Sequence, residues 1–201
     1  MMKLTRILFL LLAAAAAFFA IRRSRIRHKK RTFFLILAAC AVAAALSLEF
    51  PIENLFVRFD SPERAFHYME SKEIEHVLYG KDSVLVIYKV GASTYSYEAL
   101  QRDTEGYKLP GSYELQQAAS AGVLDSTEVY RVKGTQDYYV CGVSTAGMAE
   151  FDVGVFRKDG TPLDDGVYIL PESPFYFCWL DAPPEEFYLM ADGQRIDFSE
   201  E

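Results

Sequence analysis

Two uncharged apolar runs, residues 7–21 and 33–48, bracket the decapeptide Arg22-Arg23-Ser24-Arg25-Ile26-Arg27-His28-Lys29-Lys30-Arg31. A helix lying on the core of a small soluble domain keeps a polar face, and neither run contains a charge. The pattern points to a bilayer. As helices the runs reach about 22–24 Å at ~1.5 Å per residue, against a hydrocarbon core of about 30 Å. Leu4, Thr5, Thr32 and Phe50 can extend them, and Arg6 and Arg31 can snorkel. Bilayer thinning takes up the rest.

The decapeptide holds seven basic residues, Arg22, Arg23, Arg25, Arg27, Lys29, Lys30 and Arg31. Such a loop stays cytoplasmic. Residues 1–48 are therefore expected to form a membrane anchor, a helical hairpin with a basic loop over 22–32. The N-terminus and everything after residue 48 then lie outside the cytoplasm. Alanine richness suits two closely packed helices. Other readings stay open. The first run could be a cleaved signal peptide, although the basic residues behind it resist translocation. The second run could be the single anchor, and a cut after Ser47 would release the C-terminal part. Leu37-Ala38-Ala39-Cys40 has the outline of a lipobox, but the residues after Cys40 are apolar where a polar tether is expected.

Charge divides the chain at the same place. Nine of its 21 Lys and Arg residues, and none of its 28 Asp and Glu residues, precede residue 49. Residues 49–201 thus carry twelve basic and 28 acidic side chains, a net of −16. All 13 tyrosines and the one tryptophan also lie there. This composition excludes a disordered chain and a basic nucleic-acid binder. It leaves an acidic domain large enough to fold alone.

Within that domain Ser61 is a helix N-cap, Pro62 fits the first helical position, and Glu63 complements the dipole of a helix reaching Glu70. A second helix is expected over 113–121, ended by Gly122. Strands are expected over 75–79, 83–90 and 94–100 as a meander. Further strands are expected over 127–132, 138–144, 150–156, 166–170, 175–180, 187–190 and 195–198, with turns at Gly134, Asp159-Gly160, Asp164-Asp165-Gly166 and Asp192-Gly193. Val84-Leu85-Val86-Ile87 is continuously apolar, so its strand should be central and covered on both faces, one of them by the helix. Residues 49–120 then form an α+β subdomain and 121–201 an all-β, sandwich-like one, joined near 118–126.

Residues Ser61 to Tyr68 (SPERAFHY) and Gly80 to Lys89 (GKDSVLVIYK), behind an apolar N-terminus, resemble small membrane-anchored surface proteins of Gram-positive bacteria. The resemblance covers about a tenth of the chain. It implies a bacterial surface location and supplies no catalytic residue.

Chemistry-bearing groups are sparse. His67, Glu70 and His76 are the one His and acid cluster outside the basic loop, and a catalytic zinc needs three converging ligands. Gly142-Val143-Ser144-Thr145-Ala146 lacks the second glycine of a nucleophile elbow. Asp164-Asp165 and Glu185-Glu186 read as solvated turn acids, and no calcium or phosphate loop is found. Cys141 and Cys178 fall in strands and are candidates for a disulfide joining two sheets. Tyr95 and Tyr97 alternate along one strand and offer an aromatic docking face.

The sequence thus describes an α+β, mostly antiparallel β, extracytoplasmic domain behind one or two transmembrane helices. Its expected role is to bind an unidentified ligand, a basic protein fitting its charge. The alternative is an accessory subunit that meets another membrane protein through its helices. An enzyme comes third, since no catalytic motif and no cofactor or metal site is found.

Overall fold

The computed structural model describes residues 14–19, 23, 29–49, 51–111, 114–121, 127–144, 152–163, 166–191 and 193–199. Helix α1 (Lys29–Glu49) leads into a short 3-10 turn (Ile52–Leu55) and helix α2 (Pro62–Met69). The remaining elements are strands. They run β1 (Ile74–Tyr79), β2 (Ser83–Lys89), β3 (Tyr95–Asp103), β4 (Gly106–Tyr107), β5 (Leu115–Ala121) and β6 (Thr127–Val132). Next come β7 (Tyr138–Val143), β8 (Val153–Arg157), β9 (Tyr168–Ile169), β10 (Phe175–Leu180), β11 (Phe187–Ala191) and β12 (Gln194–Asp197), with a second 3-10 turn at Pro184–Glu186 before β11. Among the described residues every strand pairing is antiparallel. The fold is α+β and mostly β.

Among the described residues three sheets form, in the orders β1-β2-β3-β4, β5-β6-β7-β10-β9 and β12-β11-β8. Strand alternation turns them into layers. On β2, Val84 and Val86 pack with Ala65 and Phe66 of α2, while Leu85 and Ile87 face Tyr139, Cys141 and Phe177 of the second sheet. On β7, Tyr138 and Val140 face the other way, onto Val155, Phe187 and Leu189 of the third sheet. The order is α2, first sheet, second sheet, third sheet, with a separate apolar core at each interface. The expected covering of β2 on both faces is found. The middle core is built from residues on both sides of position 121.

Ser61 caps α2 by accepting a hydrogen bond from the Arg64 amide, with Pro62 in the first turn. Gly134 and Gly160 take positive φ in their turns (77° and 89°), a conformation that costs a glycine little. The helix expected over 113–121 is overturned: residues 115–121 form a strand. LQQAASA is rich in good helix formers, but Leu115, Gln116 and Gln117 pair with Val132, Arg131 and Tyr130, and Ala119 and Ala121 are buried in the core beneath the third sheet. Tyr113 and residues 122–126 lie outside the described residues.

At the N-terminus residues 14–19 are helical, and Phe18 packs edge-on against Phe33 of α1 with ring centroids 5.4 Å apart. Among the described residues no helix is long and apolar enough to cross a membrane. The 21 residues of α1 begin with Lys29, Lys30 and Arg31 and end with Glu49, and its apolar part, residues 33–48, reaches about 24 Å against a hydrocarbon core of about 30 Å. Of the basic loop, Arg23 and Arg31 are exposed. Arg22, Arg25 and Arg27 lie outside the described residues.

Candidate functional site

The site is organised by a carboxylate that sequence patterning does not reveal. Asp137, just ahead of β7, is 2% exposed. Its Oδ1 accepts from the Lys81 amide (2.9 Å) and from the indole Nε1 of Trp179 (3.0 Å). Its Oδ2 accepts from the Asp82 amide (2.7 Å) and the Ser83 hydroxyl (2.6 Å). Four donors thus satisfy a buried charge. They come from the β1–β2 turn of the first sheet and from β10 of the second, so Asp137 fastens the two sheets together. Gly80 makes room: a Cβ there would lie 2.5 Å from the Tyr139 hydroxyl and 2.8 Å from Asp137 Cγ. Burial raises the Tyr139 phenol above its ordinary pKa, so it stays protonated beside the carboxylate and 3.1 Å from Ser83 Oγ.

A polar cleft of about 590 Å³ opens over this fastening, lined by Lys81, Asp82, Gln101, Arg102, Asp103, Thr104, Lys108, Gly134 and Thr135. Its walls are tied across the sheets. Arg102 Nη2 donates to the Lys81 carbonyl (2.9 Å), and Gln101 Nε2 donates to the Lys133 carbonyl (2.6 Å) and to Glu114. Thr135 Oγ1 donates to the Val132 carbonyl and accepts from the Asp137 amide. At the rim Lys108 pairs with Asp103 at 2.9 Å, and Arg58 approaches it at 3.4 Å. The hydrogen bond from Lys108 and the amide of Glu105 hold the Asp103 carboxyl down to a pKa of about 2. The cleft is therefore lined by ammonium, guanidinium and carboxylate groups, with Lys108 and Asp103 paired at its rim.

The sequence-derived candidates fall elsewhere. Cys141 and Cys178 are buried free thiols. They sit on adjacent strands of one sheet, where Phe177 opposes Cys141 and Val140 opposes Cys178. One-residue stagger sends the side chains to opposite faces, Cys141 toward the first sheet and Cys178 toward the third. They do not bridge sheets as the disulfide reading required. Burial pushes both thiols up, so neither is an activated nucleophile.

Tyr95 and Tyr97 do share a face, but it is a covered one. Tyr95 meets Phe175 at 6.3 Å, and Tyr97 meets Tyr130 and Phe177, each at 5.9 Å. They line the core between sheets rather than a docking platform, and burial raises the Tyr97 phenol.

His67, Glu70 and His76 do not converge. His76 opposes Ile87 on the face turned to the second sheet and stacks on Tyr168 at 3.7 Å, while α2, carrying His67, covers the opposite face. Among the described residues no group of His, Cys, Asp and Glu is placed to hold a metal ion. Ser144 is buried, its amide bonded to the Pro174 carbonyl. Glu185 and Glu186 are exposed in the second 3-10 turn, as read from the sequence. Asp164-Asp165 lie outside the described residues.

No protein-family model, curated protein or solved structure matches the chain.

Proposed function

We propose that this chain is a membrane-attached, extracytoplasmic binding module. Its N-terminal helices hold an acidic β domain at the cell surface, and the cleft over Asp137 receives the ligand. The observation that carries the reading is the contrast between its two parts. The β domain fills three cores, whereas α1 leaves Phe34 (66%), Leu35 (72%) and Val42 (59%) exposed with no polar face to present to water. Hydrocarbon is the solvent such a surface suits. The Phe18–Phe33 contact supports a hairpin whose second arm, flanked by cations, is short and accommodated by bilayer thinning. The basic residues between the arms favour an outward β domain, the location that the resemblance to surface proteins also implies.

A second reading draws on the same helix. Its alanines permit close helix packing, so the chain could serve as an accessory subunit of another membrane protein. Membrane fractionation with carbonate extraction, combined with reporters that work only outside the cytoplasm, tests the attachment. The chain should stay with the membrane, with activity for a fusion after Glu201 and none for one after Lys30. A soluble chain, or activity at Lys30, overturns the reading. Replacing residues 33–48 by an unrelated transmembrane helix separates the two roles. A binding module keeps its ligand, and an accessory subunit loses its partner.

A further inference from the structure

We infer that Leu55, Phe56 and Val57 form a fixed apolar lip that seats the β domain on the bilayer interface. The three side chains are 77%, 85% and 39% exposed, the first two the most exposed large apolar side chains among the described residues. They do not belong to a loose tether. On one side Asn54 is locked to the β domain, its Nδ2 donating to the Leu109 carbonyl and its Oδ1 accepting from the Leu109 amide, both at 2.8 Å. On the other side Phe59 exchanges backbone hydrogen bonds with Tyr107 of β4. Between these anchors the Val57 amide donates to the Glu53 carbonyl, and Arg58 donates to the Asn54 carbonyl and approaches Asp103. The backbone is held at both ends, so the apolar side chains are held outward.

The occupant is set by position in the chain. α1 ends at Glu49, six residues before Leu55, a separation of at most about 20 Å even when extended at ~3.3–3.6 Å per residue. Anchoring α1 in the membrane brings the lip within reach of its surface. Tyr68, half exposed, packs its ring on Phe59 at 5.3 Å and adds an amphipathic aromatic beside the lip. Aromatic and leucine side chains are the composition that settles at the boundary between headgroups and acyl chains. Arg58, at the base of the lip, is held by Asp103 and Glu105. The lip is also joined to the cleft, because Asp103 bonds both Arg58 and Lys108. Seating the lip would hold the cleft at a set height above the bilayer, where a freely swinging domain would not.

This inference rests on the membrane attachment proposed above, and the test keeps the two apart. The full chain is reconstituted into phosphatidylcholine vesicles with and without brominated acyl chains. Phe56→Trp adds one fluorophore at an exposed aromatic position, and the unsubstituted chain supplies the Trp179 background. Lys158→Trp, in the exposed turn after β8 of the third sheet, serves as the control. The added emission at position 56 should shift to the blue and be mostly lost in brominated vesicles, while that at position 158 is unaffected. A Phe56→Trp chain that floats with the vesicles but whose added emission is unquenched overturns the lip alone. A chain that does not float overturns the attachment on which it rests.

Discussion

At the scale of single residues, Asp137 is the position on which the architecture turns. Asp137→Ala would leave two backbone amides, a hydroxyl and the Trp179 indole without their shared acceptor. Each unpaired buried group carries a desolvation cost, so the loss should be about 3 kcal/mol or more. Urea unfolding followed by Trp179 emission measures it, and a loss no larger than that of an exposed Asp159→Ala control would refute the fastening. Gly142 is a second test. A Cβ there would lie 2.1 Å from Tyr176 Cζ, and Tyr176, its cross-strand partner, is fully buried and bonded to Thr127. Gly142→Ala should cost about 1–3 kcal/mol by overpacking, read from the same unfolding curves. The thiols give a third outcome. Without reductant, denatured chain should release three titratable thiols, and a count of one would mean that Cys141 and Cys178 are joined. The sequence showed that these cysteines sit in strands. It did not show their faces, because a single-residue stagger between β7 and β10 is a property of pairing and not of either strand. Asp137 was illegible for a related reason. Its donors lie 42 to 56 residues away along the chain, and beside a turn a carboxylate reads as solvated.

At the scale of elements, local pattern succeeded where it coincided with burial. Val84 to Ile87 alternate between two apolar cores, and an uninterrupted apolar run is the signature of that situation. The stretch 115–121 failed because its small and amide side chains suit a helix, and only the β6 ladder decides otherwise. The contact of β1 with β9 carries a pH dependence. His76 is stacked on Tyr168, and burial lowers its pKa below 6.5 against a smaller opposing effect from Glu75. The folded state therefore binds fewer protons than the unfolded state just below the ordinary histidine pKa, and stability falls as pH drops through that window. His76→Phe keeps an aromatic ring on Tyr168 and removes the proton. Between about pH 7.5 and about pH 5.5, the interval in which histidine changes charge, the unsubstituted chain should lose more urea resistance than the variant. Equal losses would show that His76 contributes nothing to the slope.

At the scale of the whole molecule, the division at residue 49 is the feature the sequence states most plainly, because charge and hydropathy change there together. What it left open is how the acidic part is assembled, since layers are set by which faces meet. The net charge of −16 over residues 49–201 makes the last prediction. Such a domain is repelled by an anionic envelope at distances up to about a Debye length, ~8 Å at physiological salt. Its long-range field attracts cationic partners and raises their association rate more than their final affinity. The competing account is that the charge only maintains solubility. The full chain, held in phosphatidylcholine vesicles with the β domain outward, can be presented with a lysine-rich peptide. Glu185 and Glu186 are exposed together in the second 3-10 turn, so Glu185→Lys with Glu186→Lys lowers the field without touching a core. Association should slow as salt rises from about 0.05 to about 0.5 M, as screening shortens, and should slow again in the double variant at low salt. A rate indifferent to both changes would leave the charge as a solubility device and return the search for a partner to the cleft and the helices.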